Sequence, residues 1–329
     1  MRVNSLGAKL RSSDLALAQI TAKWRGALEK FQDFQAKCAK IGFDLDLGLH
    51  LKNLIAVGTG QSRFLTVSSQ SSEKLKQAWS DCVPGMEYAL NFLRSNVGIE
   101  SPALLSSPFL LITMSYYAHK RDFKITSDEE QRLRQWVLLA NAKGRYSRGS
   151  TETLLDQDLT TIREGKGASE LLDRLRLQVG RLDIAPEELE GRNQRSALFK
   201  TMFLAFRANG ARDWISNLAI SLDHKGVTHR LQFHHIFPKG TLKGSFTARE
   251  ADDIANLAFI GGRTNRKISD KPPKDYLVPL MTGNAAQLAA QCIPTDPANL
   301  DVTSYKSFLS ERRKSIADRL NQFLEVAIP

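Results

Sequence analysis

The chain has six histidines, and two of them stand side by side in the apolar, β-prone run Leu231-Gln232-Phe233-His234-His235-Ile236-Phe237-Pro238. Neighbouring side chains of a strand point to opposite faces, so with one face buried the two imidazoles have different surroundings and different tasks. Farther on, Asn256 lies in a second β-like run, Ile254-Ala255-Asn256-Leu257-Ala258-Phe259-Ile260, and Asn265 stands just inside a helical stretch. Hydrolysis of a phosphodiester needs a base for water, charge relief on the non-bridging oxygens and help for the leaving 3′ oxygen. A neutral imidazole takes a proton near pH 7, and a divalent cation performs the other two tasks. His235 suits the base, and His234 with Asn265 suits the cation. Asn256 suits a brace, because its amide can bond backbone groups on both sides and hold the base at its angle.

These residues need a strand, a loop, a second strand and a helix within about forty residues. A hairpin returns the chain across the first strand, and a helix lying on it would bring Asn265 to His234. Arg266, Lys267 and Lys271 lie on that helix and its exit, and Lys239 lies in the loop, where cationic groups could clamp phosphates. Pro272 divides the helical text Arg263-Thr264-Asn265-Arg266-Lys267-Ile268 from a second helical stretch. The C-terminal segment from Ser304 is amphipathic, with Phe308, Leu309, Ile316, Leu320, Phe323 and Leu324 on one side and a basic Glu311-Arg312-Arg313-Lys314 patch outside.

The first two thirds reads as helical, with one long amphipathic helix over 12–40 and further helices near 71–96, 103–117, 127–142, 151–164, 167–178 and 195–208. The Gly/Pro- and charge-rich stretch near 180–195 suits a connection, which gives a helical scaffold or recognition domain over 1–185 and a nuclease-like domain over 186–329. The fold class expected is mainly α.

At 329 residues, with 42% hydrophobic and 25% charged, the chain is a globular protein with material for two domains. Its longest apolar stretch, near 109–117, is too short for a bilayer, and the N-terminus lacks the core of a secretory signal, so no membrane partner and a cytoplasmic location are expected. Cys38, Cys82 and Cys292 lack the spacing of a disulfide framework or a zinc site. The net charge of +11 favours a polyanion as partner.

His-His-Ile-Phe-Pro-Lys from 234, Asp-Asp-Ile-Ala-Asn-Leu-Ala-Phe-Ile-Gly from 252 and Thr-Asn-Arg-Lys-Ile-Ser-Asp-Lys-Pro-Pro from 264 together resemble the His-Asn-His (HNH) nucleases. That resemblance implies a ββα-metal module with flanking helices, one divalent metal ion, DNA as substrate and endonuclease activity. Position by position it makes His235 the general base, His234 and Asn265 the metal ligands and Asn256 the bracing asparagine. Many members carry aspartate where His234 stands. Two neutral ligands hold a hard cation less firmly, which moves the preference from Mg²⁺ toward Mn²⁺, Ni²⁺ or Zn²⁺.

Arg2-Val3-Asn4 with the following Gly7, the stretch Trp136–Leu159 and the HNH region with its helical tail are similar to the later part of GmrSD-type, modification-dependent restriction enzymes. This implies defence against foreign or modified DNA. In that family a nucleotide-handling domain with a DGQQR-like motif precedes the Arg-Val-Asn segment, so such a domain or a separate subunit is expected as a partner, and no NTPase activity is carried over. A catalytically inactive nucleic-acid- or partner-binding module is the alternative, and nothing in the residues separates DNA from RNA.

Three further signs carry less. Arg145, Tyr146, Ser147 and Arg148 could cradle a phosphate, although Ser150 or Thr151 with Glu152 reads as a helix cap. Asp44 and Asp46 could bind a cation or share one face of a strand. The glycines of 57–64 lack the Lys-Ser/Thr ending of a P-loop.

Overall fold

The expected helix over 12–40 is two helices, Ser12–Lys23 and Ala27–Lys40. Gly26 breaks the run at φ 81°, a left-handed conformation that a Cβ would strain. This is a computed structural model, and it describes residues 11–326; Arg2-Val3-Asn4 and Gly7 lie outside the described residues.

The chain divides into two compact units, the first ending at Gly180 and the second starting at Arg181. Ile184 goes with the second unit, because its N–H and C=O both bond the side chain of Asn321. Helices dominate the described residues, and their sheet has two strands, so the protein is mainly α.

In the first unit the helix Phe109–Lys120 is buried on all sides from Leu110 to Ala118, packed against the helices Leu47–Thr59, Ser72–Phe92 and Thr151–Arg163. The longest apolar run of the sequence is thus the centre of a core, and among the described residues no helix is long and apolar enough to cross a membrane. Asp46 is not a strand residue: its carboxylate caps the helix Leu47–Thr59 by accepting from Gly48 N at 2.7 Å. Arg145 and Tyr146 do not form a phosphate cradle. Both are buried on Asp158, which accepts from the guanidinium at 2.7 and 3.0 Å and from the Tyr146 hydroxyl at 2.6 Å. Glu152 pairs with Lys52 at 2.5 Å.

In the second unit β1 (Leu231–His235) pairs antiparallel with β2 (Leu257–Gly261), and the helix Gly262–Ile268 follows β2 without a break. A lone hairpin is marginal in water, so this one depends on what covers it. Phe199, Phe203 and Phe206 of the helix Ala197–Ala208 ring Phe259 at centroid distances of 5.1, 5.3 and 6.0 Å. The outer edge of β2 is closed by Gln291, whose amide bonds both the N–H and the C=O of Phe259. The C-terminal helix Tyr305–Leu324 buries Phe308, Leu309, Ile316, Leu320 and Leu324, as its periodicity predicts.

The basic outer face expected on that helix is different in kind. Arg312 is fully buried, and its guanidinium donates to the carbonyls of Ala255, Leu257, Gln291 and Cys292. Arg313 pairs with Asp253 at 2.6 Å. These two arginines bind their own chain. The three cysteines are free and buried.

Candidate functional site

The strand pair places His234 opposite Ala258 and His235 opposite Leu257. An alanine across the strands leaves space over that face, which the helix Gly262–Ile268 fills. This helix can start hard against the 226–229 turn because residue 262 is glycine: a Cβ there would meet Val227 O at 2.2 Å. Asp213 holds its first turn, accepting from Gly261 N and Thr264 Oγ1, each at 2.6 Å. Burial opposes ionisation of Asp213, but hydrogen bonds from Thr264, Gly261 and Ser216 outweigh it and hold the carboxyl below the usual range.

That start brings Asn265 back over β1, and its Oδ1 lies 2.9 Å from His234 Nδ1. On its other side His234 Nε2 is 3.2 Å from the Tyr276 hydroxyl, which donates to Ile236 O at 2.8 Å. The imidazole is 5% exposed and meets Trp214 and Tyr276 edge-on at centroid distances of 6.0 and 5.7 Å. Burial pushes its pKa down to about 4, so the ring is neutral at pH 7.

A neutral ring makes this chain of contacts short of a proton. The ring and the Tyr276 hydroxyl have two protons for three contacts; with Tyr276 donating to Ile236 O and accepting from His234 Nε2–H, the lone pair on Nδ1 faces the lone pairs of Asn265 Oδ1. Two facing acceptors are relieved by a turned amide that presents Nδ2–H, or by a cation. For the cation the spacing fits, since two donors ~2.1 Å from an ion and at right angles are ~3.0 Å apart. Among the described residues no group of three or more His, Cys, Asp or Glu side chains gathers as a metal site. The candidate donors for a cation here are one imidazole and one carboxamide.

His235 has another neighbourhood. Its Nε2 is 2.9 Å from Asp252 Oδ1, its side chain is 26% exposed, and its Nδ1 has no hydrogen-bond partner among the described residues. Burial lowers its pKa, the bond to Asp252 raises it, and the net direction is down. Asp252 Oδ1 also receives Lys239 Nζ at 2.6 Å. Partial burial opposes charge on Asp252, yet the bonds from Lys239 and His235 leave its carboxyl below the usual range.

Asn256 lies beneath the loop, fully buried. Its Oδ1 accepts from Phe237 N at 2.8 Å, its Nδ2 donates to Phe237 O and Ala251 O at 3.0 Å each, and its own carbonyl accepts from Ile236 N. It reaches both sides of the turn, bonding backbone and no imidazole nitrogen.

His234, His235, Asn265, Arg266, Lys239, Phe233, Ser269 and Asp270 are among the residues lining one open cleft of about 470 Å³. Lys267 and Lys271 are exposed on the same helix and its exit but do not line it. Arg266 is exposed, with one guanidinium nitrogen on Val227 O at 3.1 Å. Ser269, at φ 52°, turns the chain out of the helix in a strained conformation at the cleft edge. Asp252, Tyr276 and Asp213 are missed by sequence reasoning. The acidic pair before Ile254-Ala255-Asn256 is visible, but its pairing is not.

No family model matches the chain. It is 23% identical over 299 residues to an uncharacterized protein of Methanocaldococcus jannaschii, an alignment that covers 84% of this chain and 48% of that protein. The chain thus spans about half the length of the curated relative it matches.

Proposed function

We propose that the chain is a metal-dependent endonuclease of the HNH kind that hydrolyses DNA phosphodiester bonds. One observation carries this reading: a base-competent imidazole, a second imidazole and a carboxamide from another element line one cleft, the latter two at 2.9 Å. His235 takes the proton of the attacking water on its free nitrogen. His234 and Asn265 would hold a divalent ion, which when bound supplies charge relief on the phosphate and the leaving oxygen. Arg266 and Lys239 reach the phosphate oxygens from the cleft wall, while Lys267 and Lys271 meet neighbouring phosphates. Asn256 keeps the turn after β1 rigid and so fixes the aim of His235. The net charge of +11 supports a polyanionic substrate.

Defence against foreign or modified DNA is proposed from the resemblance to GmrSD-type enzymes, and with it a nucleotide-handling domain or separate subunit as partner. Three free, buried cysteines support a cytoplasmic location. The deciding experiment is nicking of supercoiled plasmid with Mg²⁺, Mn²⁺, Ni²⁺ or Zn²⁺, wild type against His235→Ala. Cutting by wild type alone is expected. Equal cutting by both removes the proposed base, and no cutting with any metal turns the reading to a binding module.

A further inference from the structure

The hydrogen bonds around the paired histidines differ in what they do to the proton on each ring. His235 can act as a base only through a nitrogen that carries a lone pair, and a neutral imidazole has one such nitrogen. The geometry points to Asp252 as the residue that selects it: an ionised Asp252 accepts from His235 Nε2–H, so the lone pair is on Nδ1. For catalysis this rests on His235 being the base of the proposed nuclease.

Asp252 is well placed for this task and poorly placed for a merely structural one. It follows the short helix Ala248–Ala251 at its C-terminal end, with 42% of its side chain exposed. Its Oδ1 is the acceptor for both His235 Nε2 at 2.9 Å and Lys239 Nζ at 2.6 Å. The ammonium has three donors and no acceptor, so it keeps the carboxylate charged and anchored while leaving the imidazole as the group that must donate. A charged acceptor against Nε2 raises the energy of the alternative tautomer, whose Nε2 lone pair would face it. The effect on rate is that of orientation and proton placement, which makes Asp252 a positioning residue.

The test uses the full chain labelled with ¹⁵N-histidine. A ring N–H held in a hydrogen bond exchanges slowly with water and gives a visible proton signal, and two-bond ¹H–¹⁵N correlations say which nitrogen bears it; His235→Gln assigns the resonance. In wild type the proton is expected on Nε2. In Asp252→Ala that signal should be lost to solvent exchange, and Asp252→Glu should restore it at least in part. In the nicking assay Asp252→Ala should lower kcat about 10- to 100-fold with KM and Mn²⁺ affinity unchanged, again with partial rescue by glutamate. A wild-type proton on Nδ1, an Nε2–H signal that survives Asp252→Ala, or cutting by Asp252→Ala at the wild-type rate overturns the inference. Absence of any cutting by wild type defeats the nuclease reading instead, and the spectra still decide whether Asp252 sets the tautomer.

Discussion

Removing the Asn256 carboxamide should be among the most damaging single changes in the second unit. Asn256→Ala deletes the partners of three backbone groups, Phe237 N–H, Phe237 C=O and Ala251 C=O, at a site with no solvent access. An unsatisfied buried donor costs about 1–3 kcal/mol and each of the two other lost hydrogen bonds about 1 kcal/mol, so the total comes to about 3–5 kcal/mol. That is a large share of the ~5–15 kcal/mol that holds a typical domain together. Asn256→Asp separates bonding from volume. Aspartate keeps the size and can still accept from Phe237 N–H, but it points an acceptor at two carbonyls and buries a charge, so it should cost at least as much. A chain of two units need not unfold in one step, so hydrogen exchange on peptides covering 231–261 is the proper assay beside urea denaturation. Protection of that segment should collapse in both variants while peptides before Gly180 keep theirs. A cost under about 1 kcal/mol for alanine, or tolerance of aspartate, refutes the brace.

Other perturbations reach different parts of the molecule. Asn265→Ala should weaken Mn²⁺ binding about 10-fold or more by calorimetry, and unchanged affinity removes Asn265 from the donor set. Asp158→Ala strands the buried Arg145 guanidinium and should cost about 3–5 kcal/mol in urea denaturation, whereas Arg145→Met with Asp158→Leu should recover most of that; equal losses would contradict the account. His50 is 1% exposed, its Nε2 has no partner among the described residues, and burial holds its pKa at about 4, below the ordinary 6.5. Because the folded value is depressed, the unfolded chain binds a proton that the folded chain refuses, so stability is full above pH 6.5 and declines toward pH 4. The loss from this group is about 2 kcal/mol between pH 6.5 and 5, and His50→Leu should flatten the decline in denaturation series at those two pH values.

How much of this was legible in the sequence depended on how local each cause is. The two strands could be read from β-prone runs bounded by proline and glycine, but Asn256, read as part of the second, lies in the turn Ile254–Asn256 just before it. The break at Gly26 could not, because Ile20, Trp24, Ala27, Phe31, Phe34 and Cys38 are all buried and keep helical spacing straight through it. Nor could the helix Leu47–Thr59, whose residues from Leu49 to Val57 are all buried, so that no polar face marks its period. Arg145 and Arg312 look like surface cations in a linear text. Only folding brings them to Asp158 and to the carbonyls around β2.

The same limit explains why the histidine pair could be assigned two tasks but not the means of keeping them apart. Alternation along β1 guarantees opposite faces and nothing more. What differentiates the rings is the group opposite each Nε2. Tyr276, from the helix Pro273–Gly283, is a neutral hydroxyl whose own proton goes to Ile236 O; Asp252, from the loop, is a carboxylate already bound to Lys239. Both hold Nε2 as a donor and free Nδ1, yet the first does so in near-total burial, where a charged ring is strongly disfavoured, and the second beside a counter-ion at the cleft edge. A ligand must stay neutral through a catalytic cycle, and a base must accept a proton and release it. The surroundings of His234 favour the first behaviour and those of His235 the second, so exchanging the two environments should exchange the proposed roles even though the sequence would still read His-His.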